Sequence, residues 1–142
     1  MVNNKIVRVL SKILFPFLII FGLYVQFHGD FGPGGGFQAG VVLAAAFVLY
    51  ALVNGLGKLK KIISHALLEY LVPLGVLIFS GVGVTSWLMG GNFLDYGVLD
   101  KQDPSHGQHL GVLIVEVGVL VTVTSTMLII FYSFAGRGKK GN

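Results

Sequence analysis

Glu116 is the residue of this chain best placed to do chemistry. It stands in Gly111-Val-Leu-Ile-Val-Glu-Val-Gly118, the only acid well inside a long apolar run. An ionisable group in hydrocarbon is costly and is by default a functional one. Desolvation favours its neutral form, so it is suited to binding and releasing protons. A neutral, hydrogen-bonded Glu that holds helices together fits the same pattern, and both readings stand. His109 precedes Glu116 by seven residues, nearly the same helical face and roughly 10 Å nearer the end of the run. The pair reads as a proton route with His109 at the rim, or His109 is an interfacial residue bonded to the neighbouring loop. Glu69 lies about one turn into another apolar run. It snorkels or pairs with Lys58, Lys60, Lys61 or His65, or it acts as the inner counterpart of Glu116.

The second constellation is a turn, residues 28–40, reading His-Gly-Asp-Phe-Gly-Pro-Gly-Gly-Gly-Phe-Gln-Ala-Gly. Within it Gly34-Gly35-Gly36-Phe37-Gln38-Ala39 matches the Gly-x-Gly-x-x-Ala form of a dinucleotide fingerprint. That motif works only between a strand and a helix, and here an apolar span precedes it, which argues against a nucleotide site. What the glycines do offer is close backbone approach. They also leave N–H groups at the start of the next helix, which attract anions or polar partners. His28, Asp30 or a partner's carboxylates are the groups able to use that end, and His28 is a further candidate for proton handling. Pro33, Gly34, Gly35, Gly36, Phe37 and Gln38 form the part expected to dock against another subunit. His106 and His109 with Asp100 and Asp103 lack the defined spacing of a metal centre, and there is no cysteine. No metal or cofactor is expected, and no nucleophile–base set marks an enzyme.

These residues must be positioned by membrane helices. Of the 142 residues 54% are hydrophobic and only 11% charged, against about 25% charged in soluble domains. A bilayer core needs about 20 apolar residues of helix. Four stretches supply them: about 9–27, 37–56, 66–88 and 108–134, making residues 1–142 a single all-α membrane domain. Nine of the ten Lys and Arg flank the spans on one side: Lys5, Arg8, Lys12, Lys58, Lys60, Lys61, Arg137, Lys139 and Lys140. Positive residues stay in the cytoplasm, so both termini are expected there. The net charge of +4 is therefore a topology signal and no mark of nucleic-acid binding. The first span has a basic start like a signal peptide but lacks a small-residue cleavage site.

Gly111, Gly118, Thr122 and Ser125 form a stripe of small residues on the fourth span, the pattern of close helix packing. The stripe lies roughly opposite Glu116. A helix with two such contact faces is expected to touch a second subunit as well as its own neighbours.

His28-Gly29 followed by Pro33-Gly34-Gly35-Gly36-Phe37-Gln38 resembles the signature of the B-type subunit of multisubunit Mrp-type (Mnh-type) sodium/proton antiporters. His109-Leu110-Gly111 and Glu116-Val117-Gly118, followed by a Thr-rich apolar run, are similar to the last helix of that family. Members more often carry His-Gly-His and a second Gly after the Gln, where this chain has Asp30 and Ala39. The resemblance implies an accessory, non-enzymatic subunit of a hetero-oligomeric complex in a bacterial or archaeal cell (inner) membrane. Its partners would be the other membrane subunits and the bilayer. The exchange implied is cytoplasmic Na+ or K+ for external H+. The resemblance also implies a second host, a membrane-bound hydrogenase or related respiratory complex, and the alternative of a different class is a small self-assembling ion channel.

Overall fold

The computed structural model describes residues 5–29 and 32–137. Asp30, Lys139 and Lys140 lie outside them. All regular structure among the described residues is helical: α1 (Lys5–His28), α2 (Gly36–Asn54), α3 (Leu56–Ile62), α4 (His65–Leu88) and α5 (Pro104–Arg137), with a 3-10 turn at Tyr96–Leu99. Four of these, α1, α2, α4 and α5, are long and apolar enough to cross a membrane. Helices are what such a sequence must form, because hydrocarbon offers no partner for a free N–H or C=O. Pro16 in α1 and Pro73 in α4 are carried inside their helices.

The helices differ from the sequence expectation mainly at their ends. α1 starts four residues before residue 9, inside the basic cluster. α5 starts at Pro104 and ends at Arg137, so it takes in part of the stretch between the expected third and fourth spans. The short connection between α2 and α4 is itself largely helical. Gly55 ends α2 with φ 97° and donates its N–H to Ala51 O at 2.8 Å, a left-handed exit that favours glycine. The chain then forms α3, whose Leu59 is fully buried while Lys58, Lys60 and Lys61 are exposed. Ser64 caps α4 by accepting from Leu67 N at 3.1 Å, as a Ser at an N-cap does.

The spans pack in the spatial order α1–α2–α5–α4. α2 and α5 run in the same direction, since Gly36 lies against Glu116 and Gly40 against Leu120 and Val123. A core at the basic end joins Ala51, Leu59, Leu68, Leu128 and Tyr132. There Tyr132 Oη donates to Ile63 O at 2.8 Å, tying α5 to the α3–α4 connection. The α4–α5 crossing is closer still. A Cβ at Gly75 would lie 2.5 Å from Gly118 O and collide with Thr122 Oγ1, and one at Gly118 would lie 2.8 Å from Gly75 O. The only room at this crossing is the room that glycine leaves.

The loop between α4 and α5 folds back over both helices. Tyr96 covers Gly111, and Phe93 covers Gly83. His106 Nδ1 pairs with Asp100 Oδ2 at 3.0 Å, while Asp100 Oδ1 accepts from Gln102 N at 3.0 Å and Asp103 N at 3.2 Å. The His106 hydrogen bond first, and then these two N–H groups, hold the Asp100 carboxyl below the usual aspartate range.

Two outcomes follow from this packing. Gly75→Ala should destabilise the bundle by about 1–3 kcal/mol, the usual cost of overpacking. Gly81→Ala, on the same helix with nothing near its Cβ position, should not; thermal unfolding of the purified chain in detergent compares the two. A depressed acid contributes stability that is present above its unfolded value and lost as pH falls through its folded one. The Gln102 and Asp103 amides should therefore keep their exchange protection near neutral pH and lose it below about pH 4, read by hydrogen exchange.

Candidate functional site

The glycine turn and Glu116 are one site. α1 ends at His28, and the chain doubles back so that Gly32 N donates to His28 O and Gly35 N to Val25 O, both at 3.1 Å. Gly35 then turns with φ 117°, an angle that L side chains rarely adopt, and α2 begins at Gly36. Glu116 of α5 fills the space this turn leaves. A Cβ on Gly29 would lie 2.6 Å from Glu116 Oε1 and 2.9 Å from Oε2. One on Gly35 would lie 2.9 Å from Oε1, and one on Gly36 would strike the Glu116 backbone carbonyl. Three glycines are thus needed to admit one glutamate.

The electrostatics of this arrangement follow from the backbone. The first N–H groups of a helix have no partner within it, and the aligned peptide dipoles give that end a partial positive charge. The Glu116 carboxyl group stands at the amino end of α2, an end that favours negative charge. α2 carries no Lys, Arg, Asp, Glu or His along its length, so Glu116 is the charge-bearing group its dipole faces from α5.

In the sequence the turn stands apart from the ion chemistry expected at Glu116, and the structure brings the two into contact. Only the tertiary fold could reveal this, because Gly29 and Glu116 are far apart in the chain. The turn's glycines are also consumed inside the subunit. Gly34 packs on Val25 O and Gly29, and Gly35 and Gly36 on Glu116, whereas Pro33, Phe37 and Gln38 face outward. A similar correction applies to α5. Gly118 and Thr122 meet Gly75 of α4, Gly111 lies beneath Tyr96, and the opposite face meets the turn and α2. Ser125 is buried, and Thr124 Oγ1 donates to Gly40 O at 3.2 Å. Both contact faces of α5 are occupied within the chain, so two faces do not by themselves require a second subunit.

The remaining candidates are dispersed. His109 is exposed beside Gly97, Pro104, Ser105 and Gln108 at the rim of α5, two turns from Glu116. His28 is half-buried and stacks on Tyr24, ring centroids 5.1 Å apart, with its Nε2 towards Gly32. Glu69 is exposed at the other end of the bundle, where its Oε1 lies 3.2 Å from His65 Nδ1. It is not brought near Glu116: it lies six residues before Gly75, which packs at the level of Gly118 and Thr122, so it stands roughly 15 Å of helix away from the acid. Among the described residues no group of three His, Asp or Glu is placed to hold a metal ion.

Two residues of the site, absent from the sequence candidates, do carry a signal there. Gly29 follows Gly22 by seven residues, so both lie on one face of α1, where each admits a neighbouring helix. Gln26 is the one amide in the apolar stretch of α1, one turn before the glycines, and it is buried.

Known proteins resemble this chain over the whole stretch that holds the turn and Glu116. A protein-family model described as a domain related to the MnhB subunit of Na+/H+ antiporter matches residues 6–129. Proteins of Staphylococcus aureus strains Newman and COL, each named "Putative antiporter subunit mnhB2", are 27% identical over 138 residues. Those alignments cover 94% of this chain and 96% of each relative. With most of its length matched, the chain belongs to the family of domains related to the MnhB subunit of Na+/H+ antiporters.

Proposed function

We propose that this chain is a multi-pass membrane subunit of a hetero-oligomeric cation/proton antiporter, in which Glu116 binds and releases the proton. The observation that carries the reading is the Glu116 carboxylate seated in the backbone of the glycine turn at the start of α2. An acid placed between a helix amino end and apolar helices has support for both of its charge states, which an acid that must change charge inside a bilayer requires. Membership of the MnhB-related family supports the same reading.

The transported cation in this proposal is Na+ or K+, moved out of the cytoplasm in exchange for external protons. The charge bias supports an orientation of the chain with its basic end in the cytoplasm. Lys5, Arg8, Lys12, the three lysines of α3 and Arg137 gather at one end of the bundle, with Glu69 the acid nearest them. Those residues face the cytoplasm, which puts the glycine turn, His28 and His109 on the outside of a bacterial or archaeal cell membrane. His109 then stands at the external rim of the helix that holds Glu116. The outward-facing Pro33, Phe37 and Gln38 are the proposed contact with another membrane subunit.

In the assembled complex, Glu116→Gln should lower antiport by roughly a hundredfold, the size of effect removal of a positioned proton-transfer group has. Assembly on native gels should be unchanged; unchanged antiport would make Glu116 a structural residue. Gly29→Ala, which leaves the acid in place but pushes on both its oxygens, should lower antiport in the same assay. Gly57→Ala, open around its Cβ position, should leave it at the wild-type rate.

A further inference from the structure

The seam between α1, α2 and α5 contains a polar side chain that the chain leaves unmatched. Gln26 is 2% exposed, and neither its amide nitrogen nor its amide oxygen has a hydrogen-bond partner among the described residues. Buried polar groups are almost always paired, with protein or with ordered water, and in a bilayer an unpaired one is especially costly.

Its position follows from the face it shares. Gly22, Gln26 and Gly29 are four and seven residues apart, one stripe along α1. Gly22 meets Leu43 and Val42 of α2, and Gly29 meets the Glu116 carboxylate. Gln26 lies between these two contacts, and its burial puts the amide inside the seam. The level agrees: the carbonyl of neighbouring Val25 accepts the Gly35 N–H, and Gly35 itself backs onto Glu116 Oε1. The amide is therefore directed into the seam about one turn deeper than the carboxylate.

The chemistry of the amide selects what fits there. Its oxygen needs a donor and its nitrogen an acceptor. A monovalent cation would satisfy the oxygen alone and leave the NH2 group stranded. A water both donates and accepts, and the Glu116 carboxylate offers it another acceptor, within the two to four polar partners a buried water requires. We propose that an ordered water bridges the Gln26 amide and the Glu116 carboxyl group, so that Gln26 is a positioning residue for the proton-binding acid. Its role in transport rests on the reading of Glu116 given above; the water site itself does not.

Among the described residues, the groups facing Glu116 that could alter a pH profile are few. α1 brings His28 at the rim of the turn, α5 brings His109 two turns away, and α2 brings no charged residue, its one titratable group being Tyr50 near its other end. Glu69 of α4 is at the opposite end of the bundle.

Cryo-electron microscopy of the intact complex in Na+ buffer should show density within hydrogen-bonding distance of both Gln26 and Glu116. Gln26→Met, similar in volume but unable to bond a water, should lose that density. It should also move the pH midpoint of antiport upward by about one unit, because a drier acid stays protonated to higher pH. Glu116→Gln should retain the density, since an amide can still bond the water. Absence of density in the wild-type complex overturns the proposal, and that observation decides the matter even if Gln26→Met fails to assemble. Density that strengthens when Rb+ replaces Na+ would make the occupant a cation and also overturns it. An assembled Gln26→Met complex with an unchanged pH midpoint overturns the positioning role. If Glu116→Gln transports normally while the wild-type density is present, the transport reading falls and the water site stands.

Discussion

The contact between the Glu116 carboxyl group and the bare backbone of Gly29, Gly35 and Gly36 organises the half of this bundle away from its basic end. It joins three helices at one point: α1 through its carboxyl-terminal turn, α2 through its first residues and α5 through the glutamate. Hydrocarbon provides no hydrophobic drive for helices to associate, so packing and polar contacts must supply it. A carboxylate placed at a helix amino end does both. It fills the space that three missing Cβ atoms leave, and it sets an ionisable group at the positive end of a dipole. The turn can be so short because the glutamate occupies its interior.

The rest of the fold applies the same device at other levels. Gly75 against Gly118 and Thr122 brings α4 onto α5, and Gly40 against Leu120 and Val123 brings α2 onto the other side. α5 is thus the helix on which α2 and α4 both rest, while α1 packs mainly on α2. At the basic end, where water is near, the means change. Leu59 anchors an amphipathic α3, and the Tyr132 hydroxyl holds the α3–α4 connection. Glycine contacts hold the membrane interior, and capping, aromatic and side-chain hydrogen bonds hold the wet ends. That division reflects which interactions each medium leaves worthwhile.

This arrangement bears on function because it assigns two properties to one group. Glu116 is a structural keystone and also the ionisable residue of the described spans that lies away from either end. A change in its charge is felt by the turn that wraps it, and any displacement of the turn is felt by its carboxyl oxygens. Under the proposed function, proton binding at Glu116 and the geometry of the turn become linked quantities. The outward faces of Pro33 and Phe37 on that turn lie close to where such a change would be read.

Much of this was legible in the chain. Apolar runs of bilayer length bounded by lysines can only become spanning helices, because the medium forbids any other backbone solution. A lone acid in such a run must be explained, and the small-residue spacing of Gly111, Gly118, Thr122 and Ser125 marks the side of α5 that packs closely. The short α3 was hidden, since seven residues rich in lysine look like a loop until Leu59 finds a core. The sites each glycine serves were hidden too. A glycine states that a neighbour comes close but not which neighbour, and the sequence distance between residue 29 and residue 116 carries no hint that they touch. Local sequence determined the spans, the gathering of basic residues at their ends and the candidate acid, because these depend on each segment's own exchange between water and lipid. Only the tertiary structure decided that the acid sits inside the glycine turn, because that pairing depends on how three helices divide the space between them.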